Sequence, residues 1–404
     1  MGTRRQFLKT SLAGSAVISL SGAVPGVLLS ASRDAAPDSG EKILVVVQLS
    51  GGNDGLNTIV PFGDSRYYEN RFTLAIGQNQ VLKIDDHVGF HPAMDGMNQL
   101  LQDGKLGVVQ GVGYPEPNRS HFESMDLWHT AHRIVEGRYG WLGRTLDANN
   151  IAPDLPAVHF GPGLQPLALR NENTPVPSIR SIDNFRLNLL RDGRNRELLN
   201  QIVQPPRDNT NELLGFIHDS ANVAIRTSER MENINSNSQA GSGYPPTGLG
   251  RNLQAIARLI GSGLSTRIYY TTLDGFDTHS NQAAGHQGLL SDLSRSVSAF
   301  VADLEEQGNA DRVALFSFSE FGRRVRENAS AGTDHGTAGP VFVAGPSVKA
   351  GPLSEHPDLG DLQDGDMKFG VDYRRVYAGL LKNWLGVDPD PILGASYQPF
   401  ELFD

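Results

Sequence analysis

Five aliphatic residues in a row, Ile43-Leu44-Val45-Val46-Val47, are followed by Gln48-Leu49 and then stop at Ser50-Gly51-Gly52-Asn53-Asp54-Gly55. A run apolar on both of its faces belongs to a strand covered from above and below, the situation of a parallel sheet with helices on each side. The glycines that end it supply a tight turn. The same pattern recurs along the chain. Residues 106–112 precede Ser120, 268–273 precede Asp277 and His279, 313–318 precede Glu320, and a polar segment ending in Asp334-His335 stands before the apolar residues 341–344. In an open α/β sheet, ligands collect outside the carboxyl ends of the strands, where loops converge on a rigid frame. These segments therefore predict a metal site along one edge of one sheet.

The remaining periodicity agrees with an α/β fold, a largely parallel central sheet flanked by helices. Helices are expected over residues 94–101, 253–264, 287–307 and 372–385. The third carries Leu289, Leu290, Leu293, Val297, Phe300, Val301 and Leu304 on one face. Strand, helix, strand in succession implies right-handed crossovers. Residues 149–250 change texture, being rich in Pro, Asn and Arg without a β pattern, and read as an irregular inserted cap. Within them residues 212–231 have helical spacing, and residues 233–248 read as a flexible loop. One domain, residues 33–404, is expected after a leader of 32 residues.

That leader contains Thr3-Arg4-Arg5-Gln6-Phe7-Leu8-Lys9 ahead of a weakly apolar stretch interrupted by glycine and proline. The arrangement predicts a twin-arginine signal, export by the twin-arginine translocase, and a periplasmic or extracellular location. No other apolar run is long enough to span a bilayer. Cutting after Ser32 removes three basic residues and no acidic one, leaving 32 against 45 and a net charge of −13. So acidic a chain argues against a nucleic-acid or anionic-membrane partner. With no cysteine in the sequence, thiolate chemistry is excluded and any metal must be held by oxygen and nitrogen.

Among the chemistry-bearing residues, Asp54 reads either as a turn aspartate or as an oxygen ligand projecting over the first strand. Asp277 and His279, two apart in an extended segment, project to one side and can share a metal ion; a structural hydrogen bond is the competing reading. His286 either adds a ligand or packs on the helix that follows. Glu320 reads as a ligand with Arg323 as an anion clamp, or the two belong to a salt-bridged rim with Arg324. Asp334 and His335 add a carboxylate and an imidazole, with Gly336 allowing close approach. No Gly-x-Ser-x-Gly elbow occurs. Ser120 is the candidate nucleophile, with Arg119 placed to meet an anion and His121 adjacent. Ser120 with Glu123 also fits a helix capping box. The acidic residues 358–366 fit no calcium loop and read as a solvated loop.

These motifs resemble the exported bacterial family known as domain of unknown function 1501, within the alkaline phosphatase and sulfatase superfamily. The resemblance rests on the twin-arginine start, Leu49 to Gly55, Arg119-Ser120-His121-Phe122, Phe276-Asp277-Thr278-His279, Phe318 to Arg323, Gly332 to Gly336, and Asp372-Tyr373-Arg374 with Trp384-Leu385-Gly386. It implies an alkaline phosphatase-like fold and a site of two divalent ions, zinc, calcium or manganese. By order along the chain, Asp54, Asp277 and His279 look like ligands and Ser120 the nucleophile; either Glu320 is a ligand and Asp334-His335 supplies the later one, or Asp334-His335 is itself the ligand pair and Glu320 only supports it. The implied activity is hydrolysis of an anionic phosphate or sulfate ester. The alternative is a non-catalytic periplasmic binding or assembly protein that keeps the fold.

Overall fold

The computed structural model describes residues 41–132, 139–149, 156–172, 174, 176, 178–179 and 243–404. The leader and the helical spacing at residues 212–231 lie outside them. In chain order the elements that position the site are β1 (Ile43–Ser50), α1 (Asp95–Gln102), β2 (Leu106–Gly113), α2 (His121–Thr130), α3 (Trp141–Asn149), β3 (Ala157–Phe160), β4 (Ser178–Ile179), α4 (Gly248–Gly261), β5 (Ile268–Asp274), α5 (Gln282–Glu306), β6 (Val313–Ser319), β7 (Gly339–Ala344), β8 (Gly351–Pro352), β9 (Val371–Asp372) and α6 (Tyr373–Gly379). The strands form one sheet in the order β8-β2-β7-β6-β1-β5-β3-β4, with β9 also paired to β2.

The run at Ile43 takes the central place its composition requires. Its odd positions, Ile43, Val45, Val47 and Leu49, enter a core with Met97 of α1, Leu253 of α4 and Leu290 of α5. Leu44 and Val46 enter a second core with Trp128 of α2, Trp141 of α3 and Tyr377 of α6. Each fully buried aliphatic side chain contributes roughly 1.5–3 kcal/mol of transfer free energy, so both faces of β1 resist displacement. Strand β1 is parallel to β5 and β6, and the three end together, with Ser50 beside Asp274 and Leu49 beside Ser319.

Strand β7 departs from the parallel scheme, running antiparallel to both β6 and β2. For an antiparallel strand the entrance lies where its neighbours finish. Asp334-His335, ahead of β7, thus reach the same edge as the loops that follow β1, β2, β5 and β6. The region read as an irregular insertion also differs, because β3 within it pairs in parallel with β5 and β4 extends the sheet from β3. Its run, Ala157-Val158-His159-Phe160, is too short to stand out beside the prolines around it. Helix α5 starts at Gln282, earlier than its apolar stripe, because its first turns bury the polar Gln282 and His286. Among the described residues no helix is long and apolar enough to cross a membrane.

Candidate metal centre

The turn after β1 forms the floor of the site. Gly51 has φ +116°, and a Cβ there would lie 2.4 Å from the Asp277 nitrogen, so only glycine lets the loops after β1 and β5 approach. Arg323, fully buried, ties together the loops after β1 and β5 and the β6–β7 connection to which it belongs. Its Nε donates to Gly52 O at 2.7 Å, Nη1 to Thr333 O at 2.8 Å, and Nη2 to Phe276 O at 3.0 Å and Asp277 Oδ1 at 2.7 Å, with Gly51 O also accepting from Nη2. At Gly336 a Cβ would meet the Arg323 carbonyl carbon at 2.4 Å, so glycine permits the close approach expected there.

Helix α2 is held from its other end. Trp128 stacks between Phe318 and Tyr373, at centroid distances of 5.1 and 4.5 Å, while Ser124 Oγ donates to Glu320 O at 2.5 Å. This brings His121, the first residue of α2, over the end of β6.

Three imidazoles then converge on one carboxylate oxygen. His279 Nε2, His335 Nε2 and His121 Nε2 lie 2.9, 3.1 and 3.4 Å from Asp277 Oδ1. The opposite nitrogen of each ring faces an acceptor. His121 Nδ1 is 2.9 Å from Glu320 Oε1, His279 Nδ1 is 3.2 Å from Asp334 Oδ1, and His335 Nδ1 is 2.7 Å from Arg119 O. Acceptors at all three Nδ1 atoms assign the ring protons there and turn the Nε2 lone pairs inward. His279 Nε2 and His335 Nε2 then face each other at 2.9 Å, and His121 Nε2 is buried without a hydrogen-bond partner among the described residues. Such a set of inward lone pairs around one carboxylate suits a cation. Asp277 is a suitable anchor for one: burial pushes its carboxyl up, but the Arg323 guanidinium that donates to it outweighs that and holds it well below the usual carboxylate range. His121, Asp277 and His335 each bring one ligand atom within 4.8 Å of the others, a spacing that suits a single first-row metal ion, and His279 Nε2 lies beside His335 and Asp277.

The family model for proteins of unknown function, DUF1501, matches residues 41–394. The chain belongs to the DUF1501 family. No curated protein matches its sequence. Solved structures similar to this DUF1501 chain include the lipoteichoic acid synthase LtaP from Listeria monocytogenes, at 10% identity and TM-score 0.37, covering 96% of this chain and 82% of that one. The C-terminal periplasmic domain of EcEptC from Escherichia coli matches at 10% identity and TM-score 0.37, covering 90% and 88%. Alkaline phosphatase from the Antarctic bacterium TAB5 matches at 11% identity and TM-score 0.33, covering 76% and 92%.

Of the ligands expected for this DUF1501 protein, Asp277, His279 and His335 meet at the centre. Glu320 and Asp334 stand behind His121 and His279 as their hydrogen-bond acceptors; Glu320 is itself fixed by Gly51 N at 2.9 Å and Ser319 Oγ at 3.1 Å. Asp54 lies apart from the converging atoms. Its carboxylate is 1% exposed and takes a bidentate pair from Arg71, at 2.5 and 3.0 Å, with Gln282 Nε2 donating as well. His286 is buried against Asn53 Oδ1 at 3.0 Å, and burial lowers its pKa to about 4, so it packs as a neutral ring.

The two arginines expected to bind an anion differ. Arg323 is wholly engaged in the frame just described. Arg119 pairs through Nε and Nη2 with Asp366, whose carboxylate is buried, so the acidic stretch read as solvated ends in a buried carboxylate held by a partly exposed guanidinium. Ser120 holds the N-cap position of α2, but its side chain makes no capping bond. Its backbone N–H donates to Asn118 Oδ1 at 2.7 Å, and Glu123 meets Asn118 Nδ2 instead of closing a capping box. The Ser120 hydroxyl has no partner among the described residues. His121, which the sequence offers only as a neighbour of Ser120, joins Asp277 and His335 as a candidate ligand. The available signal was its place beside Ser120 in a loop following a strand, and the conspicuous serine and cap pattern masked it.

Proposed function

We propose that this is an exported, metal-dependent hydrolase of phosphate or sulfate esters, with one metal held by His121, His279, His335 and Asp277. The observation that carries the proposal is the convergence of three inward Nε2 atoms on Asp277 Oδ1, with every Nδ1 facing an acceptor. A nitrogen-rich set suits zinc or a neighbouring transition ion better than calcium, which takes oxygen ligands. When bound, such an ion supplies Lewis-acid polarisation of an ester and favours an ionised hydroxyl.

The chain's own residues supply the rest. Ser120 stands between Arg119, whose carbonyl holds His335, and His121, so its unpaired hydroxyl adjoins the centre along the backbone. The first-turn N–H groups of α2 favour an anion at that end. Ser120 Oγ is the nucleophile that bonds to phosphorus or sulfur as the alcohol leaves; water then releases phosphate or sulfate and restores the hydroxyl. The superfamily resemblance of the motifs supports the ester class, and the Arg-Arg leader supports export by the twin-arginine translocase.

Metal analysis of the exported chain, purified without chelator and assayed on 4-nitrophenyl phosphate and 4-nitrophenyl sulfate, tests the proposal. One ion per chain is expected. Asp277→Ala should lose both ion and turnover, whereas Ser120→Ala should keep the ion and lose turnover.

A second reading, a non-catalytic binding protein, is favoured by one feature. The first-strand carboxylate, which the resemblance makes a ligand, is closed off by Arg71. Metal-free protein inactive on both esters would select that reading.

A further inference from the structure

A cavity of about 260 Å³ opens beside the metal centre, between the end of β2, the loop entering α2 and the segment around Met367. It shares no residue with the centre and adjoins it through the chain at two points. Arg119 lines it and holds His335 through its carbonyl; Thr337, two residues past His335, lines it on the other side. Nothing in the ester chemistry derived above uses this space.

We infer that the cavity receives the organic part of the ester, and that it selects a neutral group the size of one ring. This rests on the hydrolase reading, whose reacting phosphate or sulfate would lie at Ser120. The volume falls below the roughly 300–1,000 Å³ of drug-sized sites, which limits the occupant to something smaller. Tyr114, Pro117, Met367 and Phe369 give the lining an apolar side. Its two cations are already paired, Arg119 with Asp366 and Lys368 with Asp361, so an anionic occupant would gain little.

One directed polar contact stands out. Buried Asp366 engages Nε and Nη2 of Arg119, leaving Nη1 without a partner among the described residues. A guanidinium fixed on one side and open on the other is a positioned donor for an oxygen on the bound group. Asp366 is thus a positioning residue for Arg119. Phe369, 37% exposed, is the wall residue that changes most readily without disturbing the core.

The experiment uses the full chain loaded with zinc and the neutral form of 4-nitrophenol, at pH 6, as probe. Saturable calorimetric binding is expected, with a Kd raised at least fivefold by Phe369→Ala and a shift of the Met367 methyl carbon resonance in the unaltered protein. Kinetics on the same protein add a second readout: kcat/KM should fall about tenfold in Phe369→Ala for 4-nitrophenyl esters and less than twofold for methyl esters. Phenol binding with these signatures but no ester turnover would sustain the cavity while defeating the hydrolase reading. Ester turnover in which Phe369→Ala changes kcat/KM equally for methyl and nitrophenyl esters, with no phenol binding and an unmoved Met367 methyl, would overturn the cavity assignment and leave the hydrolase standing.

Discussion

Asp54 and Asp277 begin alike. Each follows a central parallel strand, each lies at the same edge of the sheet, and each carboxylate has a buried arginine as a neighbour. Their surroundings separate them. Arg71 meets both Asp54 oxygens in a pocket closed to solvent, and the aspartate side chain is 1% exposed. Arg323 gives Asp277 one contact, to the same oxygen that three imidazoles approach, and the Asp277 side chain is 48% exposed. A carboxylate satisfied on both oxygens by a guanidinium is scaffold. One left facing inward lone pairs is a candidate metal anchor. The strand-end position is shared; the number of unsatisfied neighbours decides the role.

The largest expected effect tests the scaffold half. Arg71→Met leaves a buried, uncompensated carboxylate, and denaturant unfolding should show a loss of about 3–5 kcal/mol. Adding Asp54→Asn should recover part of it, since the remaining group is neutral. A single variant as stable as the starting protein would show that the pair does not hold the loop after β1.

Acid titration probes the same pair without removing an atom. Burial pushes the Asp54 carboxyl up, but Arg71, His286 and Gln282 outweigh that and hold it at about 2, against an ordinary 3.8. Because the folded value is the lower one, the resulting stabilisation, on the order of 2 kcal/mol, is present above pH 3.8 and disappears as pH falls towards 2. Asp54→Asn should flatten the stability curve between pH 4 and pH 2 by that amount. An unchanged curve would mean that other carboxyls govern acid unfolding.

The contrast also explains what could be read from sequence. The β1 run, the Asp277-x-His279 pair and Asp334-His335-Gly336 were legible because local spacing carries them: a two-residue step in extended backbone, a glycine where chains must touch. The partners that assign roles are remote. Arg71 lies 17 residues from Asp54 at the end of a short helix, and Asp366 lies 247 residues from Arg119. No periodicity announces either pairing. The direction of β7 was equally hidden, since a strand's residues look the same whichever way its neighbours run. It is that reversal which brings Asp334 and His335 to the edge occupied by Asp277.

The metal half of the contrast can be sharpened at Glu320. Glu320→Gln keeps the shape but removes the charge opposite His121 Nδ1, and metal affinity should fall about 10–100-fold with the fold intact. Chelator competition measures this, and histidine ¹⁵N shifts report whether His121 still carries its proton on Nδ1. Unchanged affinity and unchanged shifts would remove Glu320 from the support of the site.

The smallest effect is expected at Ser120. Replacing an N-cap serine with alanine ordinarily costs about 1 kcal/mol, because a first-turn N–H loses its acceptor. Ser120 makes no such bond, whereas Thr247, at the N-cap of α4, accepts from Gly250 N at 3.1 Å and donates to Asp292 at 2.6 Å. Ser120→Ala should therefore cost under about 0.5 kcal/mol where Thr247→Ala costs about 1. Equal costs would make Ser120 a cap like any other. A near-neutral effect on stability joined to lost ester turnover would instead place it with Asp277, among residues whose neighbours leave them unsatisfied for a purpose.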